Sequence, residues 1–183
     1  MFSATEMPGV MPLLGSQLAA FLALLLAASA MHKGVRWAHT QSVIHEFAGV
    51  PRAAAAWAAV AALLGELLAA ALLFVPASRL IGALLAALIW GAYLALILRA
   101  IVQGRRNVDC GCSFGSSRHP LGAFDVTRSV VLVVFAVLVG TSAANGAVPV
   151  SASQVLASCA LLALYGALDQ VMTLQPLRNG AVS

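Results

Sequence analysis

The chain has 183 residues, of which 62% are hydrophobic and 9% are charged, and its mean hydropathy is +0.98. A soluble domain carries about 25% charged residues, so this chain cannot cover a water-facing surface. The net charge of +4 does not indicate nucleic-acid binding, because the Lys and Arg residues lie in short segments between long apolar runs. The composition predicts a polytopic membrane protein that contacts lipid and binds no nucleic acid.

The apolar runs are rich in Ala and Leu and lack the alternation of barrel strands. Since only helices and closed barrels satisfy the backbone in lipid, we predict an all-α bundle of about five transmembrane helices, a four-helix core plus one, in a single domain over residues 1–183. The first run resembles a signal peptide, but no Lys or Arg precedes it, and we interpret it as a retained helix. The predicted helices span residues 13–31, 53–75, 80–102, 125–141 and 151–174.

The segment from His32 to Pro51 is predicted to be a polar connection, partly on the membrane surface as an amphipathic turn. Its three histidines, His32, His39 and His45, are not spaced to share one helix face. We interpret them as interfacial side chains and assign no metal site.

Glu66 lies near the middle of the second predicted helix. A carboxylate inside a membrane is costly, so we expect it to face the bundle interior and to be paired or protonated. Two interpretations are open: a catalytic group that handles protons or positions a reactive site, and a hydrogen bond between helices.

Trp90 and Tyr93 lie three residues apart on the third predicted helix and therefore share a face. Two interpretations are open here as well. One is packing in the bundle core, and the other is a face that binds a flat cofactor such as a quinone.

Residues 103–124 form a predicted redox loop that holds Cys110 and Cys112, separated by one glycine. A disulfide in so short a ring is strained and easily reduced, which suits a relay better than a structural link. Arg105 and Arg106 would favour the thiolate if they approach it, and Arg128 in the following helix is a third candidate for tuning it.

The third cysteine, Cys159, lies alone in an apolar run, and a metal site is an alternative use of the Cys110 and Cys112 pair. Cys159 is interpreted as a small apolar filler of the core. A closed metal site needs more soft ligands than two thiols, and only His119 is near them in sequence.

The positive charges predict an orientation. With five spans, one side carries every Lys and Arg except Arg79. The positive-inside rule then puts the N-terminus outside, with the C-terminus and the cysteine loop on the cytoplasmic side. A cytoplasmic cysteine pair is expected to be transient, catalytic or metal-binding, because lasting disulfides form in oxidising compartments.

The stretch Asp109-Cys110-Gly111-Cys112-Ser113-Phe114-Gly115 resembles the Cys-Gly-Cys-Phe-Gly signature of the MauE family, methylamine-utilisation membrane proteins grouped with DoxX-like redox-associated proteins. Here Ser113 is added before the phenylalanine. Supporting features are the Ala-Ser-Ala-Met-His-Lys stretch that ends the first helix, Glu66, and the segment from Leu121 to Arg128.

The resemblance implies a bacterial inner-membrane protein that supports thiol–disulfide chemistry during maturation of exported client proteins, together with a thioredoxin-like partner. Because the chain has no second cysteine pair, that partner or a bound quinone would be the other redox couple. Two further hypotheses are kept: a protein that binds or transports a soft metal through Cys110 and Cys112, and a structural subunit of a larger membrane assembly.

Overall fold

The computed structural model describes residues 10–104 and 123–179, and within these ranges every regular element is helical. This confirms the all-α prediction. The helices are α1 (Val10–Val35), α2 (Trp37–Ala48), α3 (Arg52–Phe74), α4 (Arg79–Val102), α5 (Ala123–Ala144) and α6 (Ala152–Asn179), with a single 3₁₀ turn at Pro76–Ser78 between α3 and α4.

Four of the described helices, α1, α3, α4 and α5, are long and apolar enough to cross a membrane, and α6 contains a shorter apolar stretch, Ala152–Leu168. Large apolar side chains on their outward faces stay exposed, among them Leu64, Leu84 and Val137. Lipid tails are as apolar as leucine, so these faces suit a membrane-embedded bundle in contact with lipid.

The first helix occupies the centre of the bundle. It packs against α3, α5 and α6, while α4 packs against α3 and α5. The core is built of alanines with a few large side chains such as Leu22, Leu73 and Trp90. Below, the end of the bundle where α4 ends and α5 begins is called the loop end, and the end that carries the Pro76–Ser78 turn is called the turn end.

Helices α3 and α4 approach closely at the turn end because Gly82 has no side chain. A Cβ atom at this position would lie 2.8 Å from the backbone nitrogen of Leu73. Beside it, Arg79 is 2% exposed and donates hydrogen bonds to two backbone carbonyls, from Nε to Leu73 (3.0 Å) and from Nη1 to Val148 (2.8 Å). Arg79 thus joins the end of α3 to the connection between α5 and α6.

Two details differ from the sequence-based expectations. The expected polar connection begins inside α1, and most of it forms the separate helix α2. The two helices meet at Arg36, whose φ of −103° and ψ of 42° interrupt the helical path. Cys159 is exposed on α6 rather than buried, since α6 packs mainly on α1 and leaves its other faces outward.

Candidate functional site

The Glu66 carboxylate lies inside the bundle and is fully buried. Its Oε1 atom accepts three hydrogen bonds, from Lys33 Nζ at 2.5 Å, Tyr93 OH at 2.7 Å and Ser29 Oγ at 3.2 Å. Lys33 Nζ also donates to Ser29 Oγ at 2.7 Å. We call these four residues, Ser29, Lys33, Glu66 and Tyr93, the Glu66 cluster. The expectation that Glu66 faces the interior and is paired is confirmed.

Three helices supply the cluster. Ser29 and Lys33 are one turn apart on α1, with Lys33 in its last turn, while α3 carries Glu66 and α4 carries Tyr93. Residues four apart share a helix face, so both α1 side chains point towards α3. Ala30 of α1 is 2% exposed, and a Cβ at Gly34 would make an ordinary van der Waals contact with Leu63 of α3 at 3.6 Å.

The Lys33 ammonium neutralises the buried Glu66 carboxylate. The side chains of Lys33 and Glu66 are 8% and 0% exposed, and two charges at such a depth are tolerated only when they are paired and hydrogen-bonded. The Lys33 ammonium also lies 5.0 Å from the centroid of the Tyr93 ring, which adds a favourable cation–π interaction. The second carboxylate oxygen, Glu66 Oε2, is enclosed and accepts no hydrogen bond from the described residues.

A cavity of about 30 Å³ adjoins the cluster. We call it the inner cavity. Ser29 and Tyr93 line it from the cluster side, and Arg128, in the second turn of α5, lines it as well. Further wall residues are Leu25, Leu26, Trp90, Ser129, Leu132 and Tyr165.

Trp90 and Tyr93 line the same cavity, as expected for side chains that share a helix face. The size of the cavity bears on both interpretations of this face. Trp90 is also part of the core and 6% exposed. A cavity of about 150 Å³ is known to hold benzene, so the inner cavity does not fit a quinone ring in this conformation. Quinone binding at Trp90 and Tyr93 stays a prediction that requires the cavity to widen.

Sequence reasoning overlooked Lys33 and Ser29. Lys33 was grouped with the charges of the polar connection, where it contributed to the orientation argument. The available signal was the spacing of Ser29 and Lys33 on one helix face next to an intramembrane acid that needed a partner.

Four residues with predicted roles, Arg105, Arg106, Cys110 and Cys112, lie outside the described residues, as does His119. Arg128 is described, partly exposed, and on the wall of the inner cavity. Across residues 10–104 and 123–179, no group of three His, Cys, Asp or Glu side chains is arranged to hold a metal ion.

The chain was compared with known proteins. The family model of the methylamine utilisation protein MauE matches residues 11–142. A methylamine utilization protein MauE from Paracoccus denitrificans is 28% identical over 160 residues, which cover 85% of this chain and 86% of that protein. No solved structure matches. The family match runs from the second residue of α1 to Ser142 near the end of α5, and so includes every residue of the Glu66 cluster. The chain belongs to the MauE family.

Proposed function

We propose that this chain is a membrane thiol–disulfide protein that acts in methylamine utilisation. Cys110 and Cys112 are its redox pair, and a thioredoxin-like protein is the partner that exchanges electrons with it. Its task is to support disulfide formation or maturation of exported client proteins. Its location is the bacterial inner membrane, with the cysteine pair at the cytoplasmic side of the bundle.

The observation that carries this proposal is a buried acid–base cluster in the helices next to the cysteine segment. Tyr93 lies on α4 and Arg128 on α5, the two helices that residues 103–122 connect, and both line the inner cavity. Ionisable side chains inside a membrane are costly and mark functional sites by default, and thiol chemistry requires proton transfer. Family membership adds the link to methylamine utilisation.

The relay exchanges electrons and protons between two dithiol–disulfide pairs. Oxidation of the Cys110 and Cys112 thiols to a disulfide releases two protons and two electrons. A disulfide in the thioredoxin-like partner takes up both and becomes two thiols, and the reverse exchange runs the relay in the other direction. Since the thiolate is the attacking species, each exchange needs a group that accepts a proton and a group that returns one. Glu66 is the proposed proton acceptor, and Arg128 favours the thiolate.

The test is replacement of each cysteine of the pair. Cys110→Ser and Cys112→Ser are each expected to abolish client disulfide formation and growth on methylamine, while the protein stays inserted. Alkylation of client thiols, followed by gel mobility, measures the redox state. The matched control is Cys159→Ser, because Cys159 is exposed on α6 and takes no part in the relay. Normal client disulfides in both variants of the pair would rule the proposal out.

The side of the membrane is tested separately. A membrane-impermeant alkylating reagent should label Cys110 and Cys112 in inverted vesicles and leave them unlabelled in intact cells. Labelling in intact cells alone would reverse the orientation without removing the redox role. Metal analysis of the purified protein separates the relay from the soft-metal hypothesis, which requires stoichiometric metal that is lost in the cysteine variants.

A further inference from the structure

We propose that the Glu66 cluster is a proton-storing site and that the inner cavity is its water-filled connection towards the loop end of the bundle. This inference rests on the proposed function, because proton exchange accompanies thiol–disulfide chemistry. It adds two positioning residues, Lys33 and Ser29, and a role for the Tyr93 hydroxyl.

Two hydroxyl groups connect Glu66 to the inner cavity. Glu66 does not line the inner cavity, but two of the three groups bonded to its Oε1 atom do, namely Ser29 Oγ and Tyr93 OH. A hydroxyl is both a donor and an acceptor. It can therefore receive a proton from a water molecule on one side while it releases its own to the carboxylate on the other.

The inner cavity meets the conditions for holding water. A cavity needs roughly 10–15 Å³ to hold one water, and it must supply 2–4 polar partners, whereas dry cavities are apolar. The inner cavity offers about 30 Å³, and its wall carries polar side chains from each of the four helices that surround it: Ser29, Trp90, Tyr93, Arg128, Ser129 and Tyr165. Both conditions for one or two ordered waters are met.

The two oxygens of the Glu66 carboxylate differ in their hydrogen bonds. All three donors converge on Oε1, while Oε2 is enclosed and accepts no hydrogen bond from the described residues. A proton relayed by Ser29 or Tyr93 therefore arrives at Oε1, and the hydroxyl that delivered it then accepts a hydrogen bond from the new carboxylic acid. The carboxyl group becomes neutral by reversal of one hydrogen bond, and a neutral Oε2 costs less to leave without a donor than a charged one.

Protonation of Glu66 leaves the positive charge of Lys33 in the cluster. When Glu66 is protonated, the Lys33 ammonium loses its counter-ion, yet it still donates to Ser29 Oγ at 2.7 Å and lies 5.0 Å from the centroid of the Tyr93 ring. The ring quadrupole stabilises a cation in this position. The cluster can therefore exist with no net charge or, at a cost that these two contacts reduce, with one positive charge.

Titratable and charged groups reach the cluster and the cavity from every side. Helix α1 contributes Lys33, α4 contributes Tyr93, α5 contributes Arg128 and α6 contributes Tyr165. Asp125 is buried on α5, one turn before Arg128. On α2, His45 and Glu46 instead line a separate surface cavity together with Arg52.

Infrared difference spectroscopy tests the proposal on the full-length protein in lipid nanodiscs. Lowering the pH should produce the carbonyl band of a buried carboxylic acid. Labelling with ¹³C-glutamate should shift that band, and Glu66→Gln should remove it. The chain has three glutamates, Glu6, Glu46 and Glu66, so Glu46→Gln is the matched control and should leave the band unchanged. The label identifies a glutamate band even where Glu66→Gln fails to fold.

The water route is tested by transfer from H₂O to D₂O. The deuterium shift of the Glu66 band should slow by roughly tenfold in Tyr93→Phe, because a hydroxyl that relays the proton is gone. Tyr165→Phe removes a hydroxyl from the same cavity wall that is not bonded to Glu66 and should slow the shift by clearly less than Tyr93→Phe does. Equal rates in the two variants would overturn the route, and a Glu66 band absent at every pH would overturn the storage site.

Failure of the inference and failure of the relay give different results. A client that matures normally in Cys110→Ser and Cys112→Ser removes the relay, while the Glu66 band still reports the storage site. Conversely, loss of maturation in the cysteine variants with no titrating Glu66 band leaves the relay standing and removes the proton site.

Discussion

Within the described helices, two regions bury a cation, and they stabilise it in different ways. Near the turn end, Arg79 donates to the backbone carbonyls of Leu73 and Val148. In the Glu66 cluster, Lys33 donates to two side chains, Glu66 and Ser29. A guanidinium is not deprotonated in proteins, and backbone carbonyls do not titrate, so the Arg79 region has one charge state. An ammonium paired with a carboxylate has more than one. The difference separates a site that fixes helices from a site that can exchange protons.

The largest expected effect comes from removing one partner of the ion pair. Lys33→Met should lower the free energy of unfolding by about 3–5 kcal/mol, because it leaves the Glu66 carboxylate buried without a counter-ion. The double variant Lys33→Met, Glu66→Leu should recover most of that loss, since a well-packed apolar pair is often as stable as a buried ion pair. Unfolding in mixed detergent micelles measures both. A double variant as unstable as the single one would show that the cluster is a structural element first.

Arg79→Met is the corresponding change near the turn end. It should lower the free energy of unfolding by about 1.5–3 kcal/mol in all, less than the loss of one ion-pair partner, because the groups left behind are neutral. No second substitution can compensate for it, since its partners are backbone carbonyls. Client maturation per inserted molecule should stay near the wild-type level. Glu66→Gln removes the proposed proton acceptor and should impair maturation, and an equally large defect in Arg79→Met would erase the distinction between the two regions.

Close packing near the turn end predicts a smaller effect. Gly82→Ala should destabilise by about 1–3 kcal/mol, since the new Cβ meets the backbone of α3, which cannot rotate away. Gly91→Ala, on the same helix, meets nothing within 4 Å and should be neutral or gain up to about 1 kcal/mol from helix propensity. Thermal or detergent unfolding of the two variants gives the contrast, which would vanish if α3 and α4 were free to separate.

The smallest effect is expected at the contact between α1 and α6. Gln17 Nε2 donates to Ser158 Oγ at 2.9 Å, and interhelical hydrogen bonds in membranes contribute about 0.6 kcal/mol on average. A double-mutant cycle with Gln17→Leu and Ser158→Ala should return a coupling of that size. A coupling above about 2 kcal/mol would mean that neutral polar contacts fix this bundle as strongly as the ion pair does.

The sequence determined the class of the fold and the location of Glu66 for simple reasons. Long apolar runs allow only helices in lipid, and a carboxylate in such a run must turn inward. The partner of Glu66 was not predictable in the same way. Lys33 lies 33 residues earlier, and its pairing depends on how α1 packs against α3. The interruption at Arg36, which divides one polar segment between α1 and α2, was not predicted either.

The location of Lys33 in the last turn of α1 bears on how the protein is made. Helix α1 is synthesised before α3, so Lys33 must enter the membrane without its partner. A lysine near a helix end can extend its ammonium to the interface, whereas an acid in mid-span cannot. The Lys33 ammonium can therefore remain at the interface until α3 inserts with Glu66. The order of the two residues along the chain lets each helix insert without an unpaired charge at mid-membrane.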